Sequence, residues 1–289
     1  MTMKYFEATT SDKDILKQDI LRTLIYRKAE KMLVGANACQ MMNVQSLDLK
    51  FDLPKTTMIT PQQIEEMSKA DLRRIGFYQI STSLDKYQTR MLISDETKAR
   101  QLANEQVAMS LDQAAVGLAY QKDSEIFSEL IAAKYHTVTA DTVWTDPSAD
   151  IMTDVADMIA MILDSTTVME SEIANMGIYY PAKLFGYMSR PIQIGQVQLT
   201  LKNWAQQEFN IKFYPTRQLS TTALAVLKGS DTAYHFTYTG SAVPLTEFVR
   251  DSGVGDEYIF TQYFKTKVIP YGQNKTTCKK IGLFTNICD

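Results

Sequence analysis

The residues best suited to catalysis or metal binding are few and widely separated in this sequence. It contains two histidines, His136 and His235, and three cysteines, Cys39, Cys278 and Cys288. Neither histidine has a ligand set beside it. An odd number of cysteines without a C-x-x-C spacing indicates neither a disulfide framework nor a zinc site. We therefore predict no metal, no cofactor and no catalytic histidine, and the cysteine usage fits a reducing compartment best.

Short catalytic motifs give the same result. The glycines are spread thinly, and neither a G-x-G-x-x-G nor a Walker loop occurs, so nothing predicts a phosphate-binding loop. Ser83 and Lys86 match the S-x-x-K pattern of penicillin-binding enzymes. We interpret this match as chance, because it lies in a polar extended stretch and lacks the S-D-N and K-T-G partners. The sequence predicts that the protein is not an enzyme.

Acidic residues provide two weaker candidates. Asp150, Asp154 and Asp157 have i, i+4, i+7 spacing and would share one helix face. That face could bind a cation or a basic partner, although a solvated face is the simpler interpretation. The loop at 251–257 carries oxygen ligands but lacks the spacing of a calcium loop, which favours an ordinary turn.

Composition limits the possible classes of protein. The chain has 289 residues, 45% hydrophobic and 22% charged, which is ordinary for a folded protein with substantial cores. A net charge of −3 argues against a general nucleic-acid binder, which would be basic. No apolar run reaches the length of about 18 residues that a membrane span needs. The first ten residues also lack the apolar core of a signal peptide. We therefore expect no membrane partner.

The first third of the chain predicts a helix followed by an extended hairpin. Apolar residues recur at helical spacing up to Leu33, and the opposite face is basic. That basic face could meet an anionic partner, or could simply be solvated. Clean alternation predicts strands at 46–54 and 87–93, with a short helix at 60–70 between them. Such a hairpin has little core of its own and is expected to need a partner surface.

The longest predicted element is a helix over 95–134. Ser94 is its expected N-cap, and an apolar stripe continues to Ala133. Gly117 or the pair Asp123 and Ser124 could kink or interrupt it. The helix carries only small apolar residues, amides and isolated charges, so it offers no catalytic groups.

The rest of the chain predicts a mixed α and β domain. A helix at 151–162 leads to a short strand at 178–180, a turn opened by Pro181 and a helix at 200–209 capped by Thr200. Strands are predicted at 211–215, 223–229, 233–240, 257–270 and 279–287. The fold class expected from this order is α+β.

The order of these elements resembles the Hong Kong 97-type major capsid proteins of tailed phages, a fold shared with encapsulins. DIMTDVADMIAMI followed by MGIYYPAKLFGYM looks like the axial-domain helix, strand and turn of that family. EYIFTQYFKTKVIPYG followed by KKIGLFTNI looks like its C-terminal strands. The resemblance implies an N-terminal arm at 1–45, an E-loop hairpin at 46–93, a peripheral domain with a spine helix at 94–145, an axial domain at 146–245 and returning peripheral strands at 246–289.

The resemblance also implies a function, which is a self-assembling icosahedral shell around double-stranded DNA. Its partners would be many copies of itself in pentamers and hexamers, with the DNA held without sequence-specific contact. Scaffold, portal and decoration proteins are further possible partners. The chain would lie in the virion capsid, after assembly in the host cytoplasm. The expected inter-subunit contact is the apolar face of the first E-loop strand, at Leu47, Leu49, Phe51 and Leu53. Two alternatives stay open, which are an encapsulin-type compartment around cargo enzymes and a soluble α/β enzyme with an unrecognised site.

Overall fold

Four α-helices and several 3₁₀ turns are described. The computed structural model describes residues 18–54, 77–96, 103–165, 170–194, 197–229, 231–240, 246–251, 254–270 and 276–288. The predicted helix at 60–70 lies outside them. The helices are α1 (Gln18–Met32), α2 (Ala103–Ala132), α3 (Ile151–Ser165) and α4 (Leu201–Phe209). The 3₁₀ turns are Gly35–Asn37, Glu170–Asn175, Ala182–Leu184 and Tyr187–Ser189.

The strands form two five-stranded sheets and two short hairpins. In chain order they are β1 (Gln40–Val44), β2 (Asp48–Pro54), β3 (Phe77–Ser83), β4 (Asp85–Ser94), β5 (Lys134–Thr139), β6 (Met176–Pro181), β7 (Pro191–Ile194), β8 (Val197–Thr200), β9 (Lys212–Thr216), β10 (Ala223–Leu227), β11 (Ala233–Tyr238), β12 (Thr246–Asp251), β13 (Gly255–Val268) and β14 (Cys278–Thr285). The first sheet has the order β1-β11-β13-β12, with β4 also paired to β13. The second has the order β5-β14-β10-β6-β9, while β2–β3 and β7–β8 pair separately.

Helix α2 connects the cores of the two sheets. Its 30 residues span about 45 Å at 1.5 Å per residue. Leu111 and Leu118 on its first half pack with Phe264 of β13 in one core. On its second half, Ile126 and Leu130 belong to another core, shared with strands β10 and β14. The predicted stripe is therefore confirmed from Leu111 to Ala133, and the helix is continuous through Gly117 and Asp123.

The second sheet is buried on both faces. One face of the sheet turns Tyr179 and Leu224 toward α2, and the other turns Tyr180 and Ala225 toward the core that includes α3 and α4. Strand β10 (ALAVL) is buried at every position, as expected for a strand covered on both sides. Trp144 is fully buried at the centre of the α3 core.

Strand pairing differs from the expectation in the hairpin. Strand β2 pairs with β3, from Asp48 opposite Ser83 to Pro54 opposite Phe77. The predicted partner, at 87–93, instead lies in β4 and pairs with β13 in the first sheet. The change of partner occurs at Leu84, which is buried and whose N–H donates to the carbonyl of Leu47. Alternation identified both strands correctly, but it carries no information about which strand lies beside which.

Two further strands cross the expected domain limits. Strand β11, expected in the axial part, pairs with β1 and β13 of the first sheet. Strand β14, expected among the returning peripheral strands, pairs with β10 and β5 of the second sheet. Sheet membership therefore does not follow a single cut of the sequence. The division into arm, E-loop, peripheral and axial parts stays a prediction.

Candidate assembly interface

Two of the predicted contact residues, Leu49 and Phe51, lie on one face of the β2–β3 hairpin, and Leu47 directly precedes β2. Leu49 and Phe51 lie opposite Thr82 and Ile80, and all four side chains are half-buried. On the other face, polar side chains are exposed, namely those of Asp48, Lys50, Asp52, Gln79, Ser81 and Ser83. An isolated two-stranded hairpin is only marginally stable, so its apolar face must be covered by something else.

Part of that cover comes from the chain itself. Leu47, Leu49 and Phe51 pack against a small core formed by Leu84, Phe236 and Tyr238. The ring centroids of Phe51 and Phe236 are 5.8 Å apart. Because Leu47, Leu49 and Phe51 stay only half-buried, apolar area is left for a second surface. Leu53 lies in the same strand, opposite Tyr78, and the contact to a neighbouring subunit stays a prediction for all four residues.

The base of the hairpin is fixed to the first sheet by a charged contact. The Nζ of Lys265 on β13 lies 2.6 Å from a carboxylate oxygen of Asp85, the first residue of β4. This carboxylate is largely responsible for the raised pKa of Lys265. The pair is partly exposed, so we expect it to orient the hairpin rather than to add much stability.

A second group of charges lies inside the molecule, where α2 crosses the first sheet. We call Lys122, Asp123, Glu125 and His235 the charged seam; each is less than 9% exposed. Glu125 accepts a hydrogen bond from the backbone N–H of Thr266 at 2.6 Å. His235 Nδ1 lies 2.9 Å from the hydroxyl oxygen of the same threonine.

Burial dominates the ionisation of the charged seam. It raises the pKa of Glu125 to about 7, against the opposing effect of the Thr266 N–H. It lowers the pKa of Lys122 to about 8, opposed by the carboxylates of Glu30 and Glu125. It also lowers the pKa of His235 to about 3, with Lys122 contributing. His235 is therefore neutral at physiological pH.

Asp123 joins α2 to the turn that follows α1. Its carboxylate oxygens accept the backbone N–H groups of Gly35 at 2.8 Å and Val34 at 3.2 Å. A Cβ on Gly35 would lie 2.8 Å from Ile126 Cδ1 and 2.9 Å from Asp123 Oδ1. Only glycine allows the turn to approach the helix this closely. The seam thus ties the turn after α1, helix α2 and the first sheet together.

The other residues considered from sequence are separated in the structure. His136 lies on β5, where its Nε2 is 2.7 Å from the hydroxyl of Ser165, and burial lowers its pKa. His235 lies in the other sheet. Ser83 and Lys86 are both exposed. The three cysteines are buried and form no disulfide with one another, and burial raises the pKa of Cys39 to about 12, where the thiol is unreactive.

The sequence favoured a solvated face for the three acids on and just before α3, but one of them is hydrogen-bonded to a buried side chain. Asp154 accepts a 2.7 Å hydrogen bond from the indole N–H of the buried Trp144, while Asp150 and Asp157 are exposed. Within the described ranges, no group of three or more His, Cys, Asp or Glu could hold a metal ion. The loop at 251–257 joins β12 to β13, with Asp251 paired to Gly255.

One open cavity lies beside Trp144. Its volume is about 140 Å³, and its walls include Ile151, Tyr187 and Leu201, with Asp146 and Arg190 also lining it. The Arg190 guanidinium lies 4.1 Å from the centre of the Tyr187 ring. Neither histidine and no cysteine lines this cavity. Among the described helices, none is long and apolar enough to cross a membrane.

The architecture matches solved shell proteins. A virus-like particle from Pyrococcus furiosus matches with a TM-score of 0.62 at 10% identity, over 92% of this chain and 98% of the other. The capsid of Myoviridae phage XM1 matches with a TM-score of 0.59 at 12% identity, over 83% and 86%. The SrpI encapsulin of Synechococcus elongatus matches with a TM-score of 0.52 at 8% identity, over 86% and 85%. No family model and no curated protein matches the sequence.

These matches define the structural class of the chain. It has the fold of capsid and encapsulin shell subunits, over 92% of this chain in the match to the virus-like particle and 86% in the match to SrpI. The fold is the Hong Kong 97-type α+β fold that the order of elements predicted. At identities near 10%, the likeness concerns the fold alone.

Proposed function

We propose that this chain is a major capsid protein, a structural subunit that assembles into a closed icosahedral shell. The observation that carries the proposal is the coverage of the fold match. A virus-like particle subunit is matched over 98% of its length, so little of that subunit is left without a counterpart here. The charged seam and the cavity bring together no nucleophile, base and oxyanion donors, which fits a structural role.

The hairpin contact is part of this proposal. In the assembled shell, the half-buried side chains of Leu47, Leu49 and Phe51, together with Leu53 of β2, pack on a neighbouring subunit. This contact completes the burial that the chain itself begins around Phe236. Repetition of modest contacts by symmetry then stabilises a closed particle.

The contents of the shell are proposed to be double-stranded DNA. A net charge of −3 fits a container that confines DNA without neutralising many phosphates. Portal, scaffold and decoration proteins, assembly in the host cytoplasm and a place in the virion belong to the same proposal. The second candidate is an encapsulin-type compartment around protein cargo, which the match to SrpI favours.

Electron microscopy of the purified protein tests the shell. We expect closed particles of uniform size. A small oligomer of fixed size at every concentration would reject the proposal. Nuclease treatment of particles from the native host then separates the two candidates, since protected DNA supports a capsid and protected protein without DNA supports a compartment.

A matched pair of variants tests the hairpin contact. Leu49→Gln places an amide on the half-buried face, whereas Lys50→Gln changes the exposed face of the same strand. We expect the first variant to lose particles and the second to form them normally. Circular dichroism of both variants checks that the subunit still folds. Normal particles from Leu49→Gln would exclude this face from the subunit contact.

A further inference from the structure

The second sheet carries a different helix at each end. Helix α3 packs on β5 and β14, at one end of the strand order β5-β14-β10-β6-β9. Helix α4 packs on β9 at the other end, close to the turn Tyr187–Ser189. Four strand spacings of about 4.8 Å separate the two ends by roughly 19 Å. The two helices share one core on the same face of the sheet, but they pack at opposite ends of its strand order.

The outer face of α3 is apolar at its centre and acidic on both sides. Asp157, Ala160, Met161 and Asp164 follow i, i+3, i+4, i+7 spacing and are all exposed. We call these four residues the acidic stripe. Met161 is 42% exposed, and the small side chain of Ala160 beside it is also exposed. Among the described residues, no salt bridge joins a basic side chain to Asp157 or Asp164.

The surface at the α4 end has the opposite charge. Phe185, in the turn after β6, is 55% exposed, which is high for a phenylalanine. The Nζ of Lys202 on α4 lies 4.1 Å from the centre of the Phe185 ring and 5.5 Å from that of Tyr180. Lys183 is exposed two residues before Phe185. We call Lys183, Phe185 and Lys202 the aromatic patch.

We propose that the aromatic patch of one copy docks on the acidic stripe of a second copy, with Phe185 against Ala160 and Met161 and the lysines facing Asp157 and Asp164. The inference rests on the proposed shell function and adds the residues of one ring contact to it. Each surface has an apolar centre and a charged rim, the usual anatomy of a protein interface. The two rims have opposite signs, which orients the encounter.

The positions of the two surfaces define the symmetry of the contact. Because the stripe and the patch lie at opposite ends of one sheet, a single copy uses both, each with a different neighbour. Such a head-to-tail contact continues from copy to copy and closes into a ring where the rotation between copies allows it, whereas a self-complementary contact stops at a dimer. The aromatic side chain at the centre is the type of residue that dominates binding energy in interfaces.

Cross-linking tests the contact directly. The variant Met161→Cys with Phe185→Cys is assembled and treated with a short bismaleimide, and denaturing gels are run without reductant. We expect a ladder that continues beyond the dimer, because each copy links to two neighbours. Each single variant is the control and should stay monomeric on the gel. The native cysteines are buried, so they should contribute little.

Charge reversal provides an independent test. Asp157→Lys with Asp164→Lys, or Lys183→Glu with Lys202→Glu, should lower the yield of particles about tenfold through repulsion of like charges. Combining all four changes should restore most of that yield, since the rims are complementary again. The matched controls are Glu96→Lys and Arg27→Glu. Glu96 lies two residues after β4 and Arg27 lies on α1; both are exposed, so these variants should assemble normally.

The outcomes separate this contact from the proposed function. Particles without a ladder, or a ladder that stops at dimers, would overturn the contact and leave the shell intact. Equal yields from both reversed pairs and the wild type would also overturn it. A wild-type protein that forms no particles under any condition would reject the shell itself.

Discussion

Glu125→Gln should stabilise the protein at alkaline pH and leave it almost unchanged at acidic pH. The pKa of Glu125 is about 7 in the folded chain and 4.5 in the unfolded chain, because burial penalises the carboxylate. The folded state therefore favours the neutral form. The stability from this group is complete below pH 4.5 and is lost as pH rises through 7.

The magnitude follows from the difference between the two pKa values. A difference of 2.5 pH units at about 1.4 kcal/mol per unit gives about 3 kcal/mol between pH 4.5 and pH 8. Glutamine resembles the neutral acid and keeps an oxygen that can accept the Thr266 N–H. The variant loses the attraction between Glu125 and Lys122, so about 3 kcal/mol is an upper limit for its gain at pH 8.

Urea unfolding of both proteins at pH 5, 6, 7 and 8, at one protein concentration, measures the effect. The difference between the two free energies of unfolding isolates Glu125, because the other titrating groups are common to both chains. We expect the difference to grow with pH in favour of the variant. A constant difference from pH 5 to pH 8 would refute the assignment of a raised pKa to Glu125. Asp112→Asn, which alters an exposed acid on the same helix, is the control.

Three further changes test other parts of the structure. His235 has a pKa of about 3, below the 6.5 of the unfolded chain, so its own contribution to the free energy of unfolding should fall by about 3 kcal/mol from pH 7 to pH 4. Relative to the wild type, His235→Asn should therefore become more stable by up to that amount as pH falls over this range in unfolding experiments. Gly255→Ala should cost at least about 2 kcal/mol in the same assay, because φ is +150° there and the new Cβ would overlap the carbonyl oxygen of Ile93. Trp144→Phe removes the hydrogen bond to Asp154 and should cost about 1–3 kcal/mol, whereas an unchanged midpoint would mean that this bond adds nothing.

Local periodicity was enough to predict most helices and strands. The stripe from Leu111 to Ala133 defined α2, because burial on one side of a helix recurs every three or four residues. Thr200 was expected to cap a helix, and its hydroxyl accepts the N–H of Asn203 at the start of α4. Strand β13 was expected from its aromatic and β-branched residues.

Pairing between distant strands was beyond local periodicity. Strand β1 was not predicted because its residues are mostly exposed on both faces, so no alternation marks it. Strand β4 was assigned to the wrong partner because Tyr87 pairs with Gln262, far along the chain. Such pairs depend on tertiary packing, and a short segment of the sequence does not show which distant strand it will pair with.

The charged seam was missed for a different reason. From the sequence, the charges of α2 were described only as isolated, yet Lys122 and Glu125 are buried together. A signal was present, since Lys122 lies four residues after Leu118 and four before Ile126, on the apolar stripe itself. The position of Lys122 on this stripe, rather than its charge, correctly indicates that its side chain is buried.

Strand β13 also has a consequence for the order of folding during synthesis. It pairs with β4, β11 and β12, and β4 precedes it by more than 160 residues. While the ribosome is still making the second half of the chain, β4 lacks its pairing strand β13, and the β2–β3 hairpin lacks the β11 side chains on which it packs. Contacts of such high sequence separation form slowly. We therefore expect the β2–β3 hairpin, which carries the proposed subunit contact, to reach its packed position only once β11 and β13 have been made, and association through it to be delayed until then.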